Sequence, residues 1–362
     1  MGKRGSSPQL LRLPHEKFCS KSFLMSNAAD QSQEAPKENP LSALCIALDG
    51  DMRAVNALIL TRMESNVPLI PQLASYLIAA GGKRVRPLLT LAATALYSGD
   101  MSRAALLATS VEFIHTATLL HDDVVDGSDQ RRGQEAANLV FGNQASVLVG
   151  DFLFSRAFQL MTEDGNLDVL RILSDASAVI AQGEVMQLSL AGKIDTGMGS
   201  YLEIIKAKTA ALFAAACEVG PVIAGADRAG VSAMAEFGMN LGIAFQIADD
   251  TLDYNADREK LGKTVGDDFR EGKLTAPVIL ALEKADGQER EFWQRTMGAQ
   301  DQKDGDLQHA LALFAKHGTL EASMEMAREY ADNARMALAE APDHPLRAIL
   351  DDLCGYVISR DH

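Results

Sequence analysis

Two acidic triplets are the first candidates for chemistry: Asp122, Asp123 and Asp126 in "LLHDDVVD", and Asp249, Asp250 and Asp253 in "FQIADDTLDY". Acidic side chains are among those least often buried without a partner, yet both triplets sit in apolar runs. In each, the first and last acids are four residues apart. On a helix they share one face and repel unless something lies between them. A divalent cation removes that repulsion. All-oxygen ligands suit magnesium, which takes few protein ligands and usually bridges to substrate phosphates. A solvated helix end accounts for one such pair equally well. It does not account for two, both embedded in hydrophobic sequence, which could face each other across a cavity.

The cations are the second set. Lys83, Arg84 and Arg86 in "GGKRVRP" stand near a helix start, where the backbone dipole favours anions. Arg131 and Arg132 follow the first triplet, Lys206 and Lys208 precede an Ala-rich helix, and "GKTVGDDFREGKLTAP" adds Lys263, Arg270 and Lys273. Singly, each reads as a solvated surface charge. Together, beside two metal-binding ends, they imply two anionic groups to be held. His115 lies two turns before Asp122 on the same stripe; by spacing alone it reads as a core histidine. Asp267 and Asp268 either cap a helix or sit near an outer metal, and Asp151 reads as structural. No Ser/His/Asp or Cys/His arrangement stands out, and "GGKRVRP" lacks the P-loop spacing. What remains is ionisation, in which metals and cations draw off pyrophosphate and a dry, dipole-lined pocket stabilises the carbocation.

The elements that must position these groups are helical. The 362 residues are 47% hydrophobic but only 6% aromatic, and Ala, Leu, Met and Glu, which favour helix, are abundant. From Met101 apolar residues recur at helical spacing with no Gly or Pro before Gly127, so the first triplet closes a long helix. The second triplet closes another. The pattern predicts an all-α, single-domain helical bundle around a deep central cavity, spanning 39–362. Residues 1–38 are basic at first and then polar and Pro-punctuated, which predicts a disordered N-terminal extension, with Met25 an alternative start and a transit peptide the alternative reading. A net charge of −15 argues against nonspecific nucleic-acid binding. Cys19, Cys45, Cys217 and Cys354 lack metal-ligand or framework spacing and predict reduced thiols in the cytoplasm. The most apolar run, 210–226, is broken by Glu218 and Pro221 and reads as too short to span a bilayer.

From about Leu41 to "LRAILDDLCGYVISR" the chain resembles the trans-type polyprenyl diphosphate synthases that make long quinone side chains. "GGKRVRP", "LLHDDVVDGSDQRRG", Lys208-Thr209, "FQIADDTLDY" and "GKTVGDDFREGKLTAP" occur in that family's order. The resemblance implies magnesium on Asp122 and Asp126, with Asp123 close by, and on Asp249 and Asp253, with Asp250 completing the second triplet. It implies an allylic diphosphate gripped by Arg131, Lys208, Thr209, Gln246, Lys263 and Lys273. Isopentenyl diphosphate falls to Lys83, Arg86, His115 and Arg132. Released pyrophosphate is the implied base, and a homodimer that delivers its product to membrane enzymes is the implied assembly. Small Ala117 and Thr118 beneath Asp122 predict an octaprenyl to decaprenyl product. The competing readings are a shorter-chain synthase, a terpene cyclase, which would not need the second diphosphate site, and a noncatalytic subunit of a two-component synthase.

Overall fold

Helix boundaries follow local capping chemistry. The computed structural model describes residues 39–79, 82–131, 133–255 and 265–359, so the expectation for 1–38 lies outside the described residues. Asp100 accepts hydrogen bonds from the backbone of Ser102 and Arg103 and starts the long helix Met101–Val125; Asn166 and Asp227 cap the helices Leu167–Leu190 and Arg228–Leu252 in the same way. Gly165 and Gly225, at φ 75° and 72°, take the left-handed conformation that ends the helices Asn143–Asp164 and Ala211–Ala224.

The order is α1 (Pro40–Ala47), α2 (Asp49–Arg62), α3 (Leu69–Ala79), α4 (Val85–Leu96) and α5 (Met101–Val125). A ribbon of β1 (Gln130–Arg131) and β2 (Gln134–Glu135) follows, with Gln130 opposite Glu135. Then come α6 (Ala137–Phe141), α7 (Asn143–Asp164), α8 (Leu167–Leu190), α9 (Met198–Ile205), a π-helical turn (Lys206–Ala210), α10 (Ala211–Ala224) and α11 (Arg228–Leu252). The chain closes with α12 (Asp267–Arg270), α13 (Ala276–Lys284), α14 (Gly287–Trp293) and its π turn (Gln294–Gly298), α15 (Asp306–His317), α16 (Thr319–Leu338) and α17 (Pro345–Ser359). Among the described residues the two-residue ribbon is the sole sheet, which bears out the all-α expectation.

The main core runs from Leu41 and Leu44 to Leu353 and Val357, joining the first helix to the last. Asn39 donates to the Tyr356 hydroxyl at 3.0 Å and fastens the same seam. Within this core α5 packs on α4 and α7, and α10 packs on α4 and α11. These helices approach closely because glycine stands at their crossings. A Cβ at Gly238 would lie 2.5 Å from the Phe213 carbonyl oxygen, and one at Gly242 would lie 2.7 Å from Ala210 Cα. Gly183 likewise lets α8 approach the π turn: a Cβ there would lie 3.0 Å from Lys208 N.

A second, aromatic cluster lies under the C-terminal third. The chain's single tryptophan, Trp293, is fully buried, stacks on Phe314 and meets Phe269 edge-on. Phe269 belongs to the four-residue α12, far too short to hold itself together. Its burial is what fixes the loop that carries Lys273.

One expectation needs correction. The apolar run read as 210–226 is part of a continuous helix, Met198–Ala224, that is long and apolar enough to cross a membrane. It reached that length because the π turn continues α9 into α10 without a break. Since 78% of its most apolar stretch is buried inside the protein, its hydrophobicity is explained by core packing.

The glycine crossings give a stability test. Gly238→Val would press its side chain against backbone that cannot move aside, and is expected to cost about 3 kcal/mol. Gly50→Ala, where nothing lies within 4 Å, is expected to be neutral or stabilising. Denaturant midpoints compare the two; equal stability of both variants would refute the close-approach account.

Candidate active site

The two acidic ends are brought together by a lysine from a third element. Lys273 Nζ lies 3.5 Å from Asp126 Oδ2, across 147 residues of chain, and 2.5 Å from Glu271 Oε2. Burial opposes its charge, but Glu271, Asp126 and Asp268 together hold the ammonium well above the ordinary lysine range. The Lys273 backbone N–H donates to the Asp268 carbonyl, and the Asp268 N–H donates to Asp253 in the second triplet. Lys273 therefore stands between the ends of α5 and α11.

The middle acid of each triplet is used by the protein itself. Asp123 is buried and takes the Arg131 guanidinium, with Nε at 2.9 Å from Oδ1 and a second, shorter contact from Nη2. The ribbon that carries Arg131 is pinned by buried Asn138, whose amide donates to the Asp123 and Ser128 carbonyls. Asp250 is also buried: Tyr201 Oη donates to its Oδ2 at 2.6 Å and Gln246 Nε2 to its Oδ1 at 2.7 Å. Burial pushes the Asp250 carboxyl upward, and these two donors oppose the shift. The middle acid of each triplet is thus engaged differently from its neighbours, a division of labour set by the helix. Residues i and i+4 share a face, and i+1 points about 100° away, into the packing.

The first and last acids have different surroundings. Asp122 is pushed up to about 7, first by burial and then by Glu184 and Asp126, while Lys208 and Arg131 oppose the shift. Asp249 is exposed on its helix, whereas Asp253 is buried and accepts the Asp268 backbone N–H at 3.0 Å. Asp268 is itself half-buried, and its carboxyl is held far above its usual range, first by desolvation and then by Asp250 and Asp253. Asp267 points outward to Arg270. The alternative left open for this pair is resolved by separation: Asp268 joins the second acidic end, and Asp267 stays at the surface. Asp151 is exposed and lies 3.6 Å from His121 Nε2.

Lys208 and Thr209 sit on the π turn, a feature that often marks functional sites. The turn lets neighbouring residues face two different helices. Lys208 Nζ reaches Glu184 Oε2 at 2.8 Å and Gln187 Oε1 at 3.3 Å on α8. Thr209 Oγ1 donates to Gln246 Oε1 at 2.8 Å on α11. Sequence reading missed Glu184, Gln187, Tyr201 and Glu271. Glu184 and Gln187 were detectable in principle, as polar residues three apart in the apolar run "QGEVMQL". No local signal marked the π turn.

A second group gathers at the start of α4. Arg84 adopts a left-handed conformation, φ 49°, which a non-glycine residue takes at a cost of about 1 kcal/mol. Its guanidinium is held by the buried Glu112 at 2.5 Å, so it is a structural tie. Arg86, two residues on, lies over the Phe213 ring at 4.5 Å and 3.2 Å from His115 Nε2. Lys83 is exposed beside them. Three helices thus supply one cationic corner, and His115 belongs to it. Arg132 and Lys263 lie outside the described residues.

The donor set fits divalent metal in its chemistry: carboxylate oxygens at the ends of two helices, one of them, Asp122, destabilised by burial and by neighbouring acids. Among the described residues no three such groups are drawn into a ready-made cage. Magnesium does not need one, because it keeps waters and substrate oxygens in its shell.

Residues 67–314 match the polyprenyl synthetase family. The chain belongs to the polyprenyl synthetase family. It is 44% identical over 311 residues, covering 86% of this chain and 96% of the relative, to an octaprenyl diphosphate synthase of Escherichia coli (strain K12). A decaprenyl diphosphate synthase from Rhodobacter capsulatus superposes with a TM-score of 0.86 at 56% identity, covering 89% of this chain and all of that one. A polyprenyl synthase from Caulobacter crescentus CB15, solved with calcium and isoprenyl diphosphate, matches with a TM-score of 0.85 at 50% identity, covering 90% of this chain and 100% of that one. Polyprenyl synthetase membership and the α-helical architecture agree.

The Asp123–Arg131 pair is testable. Asp123 is 3% exposed and Arg131 36%, so Arg131→Ala strands a buried carboxylate and is expected to cost about 2 kcal/mol. Asp123→Asn, which can still accept from the guanidinium, should cost less. Thermal denaturation of both variants ranks them; the reverse order would remove Arg131 as the partner that matters.

Proposed function

We propose that this chain is a metal-dependent prenyltransferase that condenses isopentenyl diphosphate repeatedly onto an allylic diphosphate, making a long all-trans polyprenyl diphosphate. The observation that carries the reading is Lys273 between two acidic helix ends, with Lys208 beside the first. The chain's 44% identity to an octaprenyl diphosphate synthase supports it. Its similarity to a decaprenyl diphosphate synthase supports the long product.

Asp122 and Asp126 on one helix, and Asp249 and Asp253 on the other, would hold magnesium. The metal supplies Lewis-acid charge at the oxygens of the departing diphosphate. Lys208, Lys273, Arg131, Thr209 and Gln246 bind the allylic diphosphate. Lys263 joins them by resemblance. Arg86, His115 and Lys83, with Arg132 by resemblance, hold isopentenyl diphosphate close enough to attack. Asp123 and Asp250 keep Arg131, Gln246 and Thr209 oriented. The allylic C–O bond breaks and its electron pair leaves with pyrophosphate. The isopentenyl double bond then attacks the cation, and loss of a proton restores an alkene. No side chain is assigned as the base; the released pyrophosphate takes the proton.

Domain boundaries at 39–362, a cytoplasmic location, delivery of the product for quinone side chains and a homodimer complete the proposal. The homodimer is supported by exposed apolar side chains on α7 and α8, among them Leu148, Phe158, Val185 and Leu188.

The decisive experiment supplies magnesium, an allylic diphosphate and isopentenyl diphosphate and reads products by mass. Elongation to about eight to ten units is expected; hydrocarbon from the allylic substrate alone would mean a cyclase, and no product at all a noncatalytic subunit. Asp122→Ala should lower turnover by about a hundredfold or more with helicity unchanged by circular dichroism, because charge builds up where the carboxylate acts. Near-normal turnover would remove Asp122 from the metal site.

Product length gives a separate test. Ala117, fully buried, and Thr118 lie one turn before Asp122, where both are small. A growing tail passing this level would run toward Ile114 and α7. Ala117→Phe places a ring in a close-packed interior that does not expand freely. Products should shorten by several isoprene units while the first condensation continues. An unchanged length distribution would put the floor elsewhere.

A further inference from the structure

One buried polar group in this region holds no metal or diphosphate in the reading above: the hydroxyl of Tyr201, on α9, 3% exposed. It begins a chain of hydrogen bonds that crosses to α11 and returns to the π turn. Tyr201 Oη donates to Asp250 Oδ2 at 2.6 Å, Gln246 Nε2 donates to Asp250 Oδ1 at 2.7 Å, and Thr209 Oγ1 donates to Gln246 Oε1 at 2.8 Å. An ionised carboxylate only accepts, so Asp250 dictates which end of the Gln246 amide faces it. The carbonyl end is thereby turned to Thr209.

We infer that Tyr201 is a positioning residue for the allylic diphosphate, acting through Asp250, Gln246 and Thr209 to hold the π turn that presents Lys208. The inference rests on the prenyltransferase reading, which places Lys208 and Thr209 on that diphosphate. Tyr201 stands before the π turn and Thr209 within it, so the chain also ties the segment carrying Lys208 to the helix carrying Asp249 and Asp253. Without the tyrosine donor, Asp250 Oδ2 loses its partner, and the carboxylate can draw the remaining Gln246 N–H to itself. Gln246 then no longer holds Thr209. The isopentenyl corner is built from Arg86 and His115, on α4 and α5, and these three hydrogen bonds involve neither.

A buried tyrosine with a hydrogen-bond partner can also be a plain core residue, and kinetics separate the two roles. Tyr201→Phe removes one oxygen and keeps the ring. It is expected to raise the KM for the allylic diphosphate about tenfold, the size of one hydrogen bond to a charged group, with kcat and the KM for isopentenyl diphosphate within about twofold. Thr209→Val should raise the same KM, and the double variant should go no further than Thr209→Val alone, since both act on one chain. Equal shifts in both KM values, additive effects in the double variant, or a Tyr201→Phe chain that does not fold would each overturn the positioning role in favour of a structural one. Absence of elongation by the wild-type chain would instead defeat the reading on which the inference rests.

Discussion

Carboxylate crowding at the meeting point of α5 and α11 is the constraint around which the rest is arranged. Buried acids cannot stand beside one another without cations or hydrogen-bond donors. Here the protein supplies some of both: Arg131 to Asp123, Tyr201 and Gln246 to Asp250, a backbone N–H to Asp253, and Lys273 to Asp126. The supply falls short at Asp122 and Asp268, which burial and neighbouring acids push upward. The shortfall is what a divalent ion would correct.

The cations proposed for the allylic diphosphate are occupied in the resting protein. Lys208 lies on Glu184, Lys273 on Glu271 and Asp126, and Arg131 on Asp123. Substrate has to exchange with these carboxylates, so part of its attraction is already committed. An ion taking up Asp126 would remove one of the two carboxylates that hold Lys273. Metal and diphosphate would therefore favour one another through reciprocal linkage, without any large movement.

The helical class, the long helices ending near Gly127 and after Asp249–Asp250, and the acidic pairs at i and i+4 were all legible from spacing, because helix periodicity and residue type act locally. His115 was correctly placed on the Asp122 stripe, although its neighbour Arg86 comes from a different helix. What sequence could not convey was the fate of the middle acids. Asp123 and Asp250 look like their neighbours along the chain, and only tertiary packing turns them toward Arg131 and Tyr201. Arg84 and Arg86 show the same limit: two residues apart, one binds Glu112 across the core and the other lies over Phe213. Glu184 and Gln187 share a helix face three residues apart, but only the fold shows that Lys208 is what they meet.

The π turn at Lys206–Ala210 works as a phase shift in a continuous rod. One extra residue in a turn rotates everything before it by about 100° relative to everything after it. Upstream of the turn, α9 presents Tyr201 to α11; downstream, α10 presents Phe213 to α4 and Arg86. A regular helix through the same 27 residues could keep one of these alignments but not both. The two diphosphate corners are thus geared to each other by a single residue of backbone. A one-residue deletion there would leave the composition and hydrophobicity of the helix almost untouched while unmeshing one corner from the other.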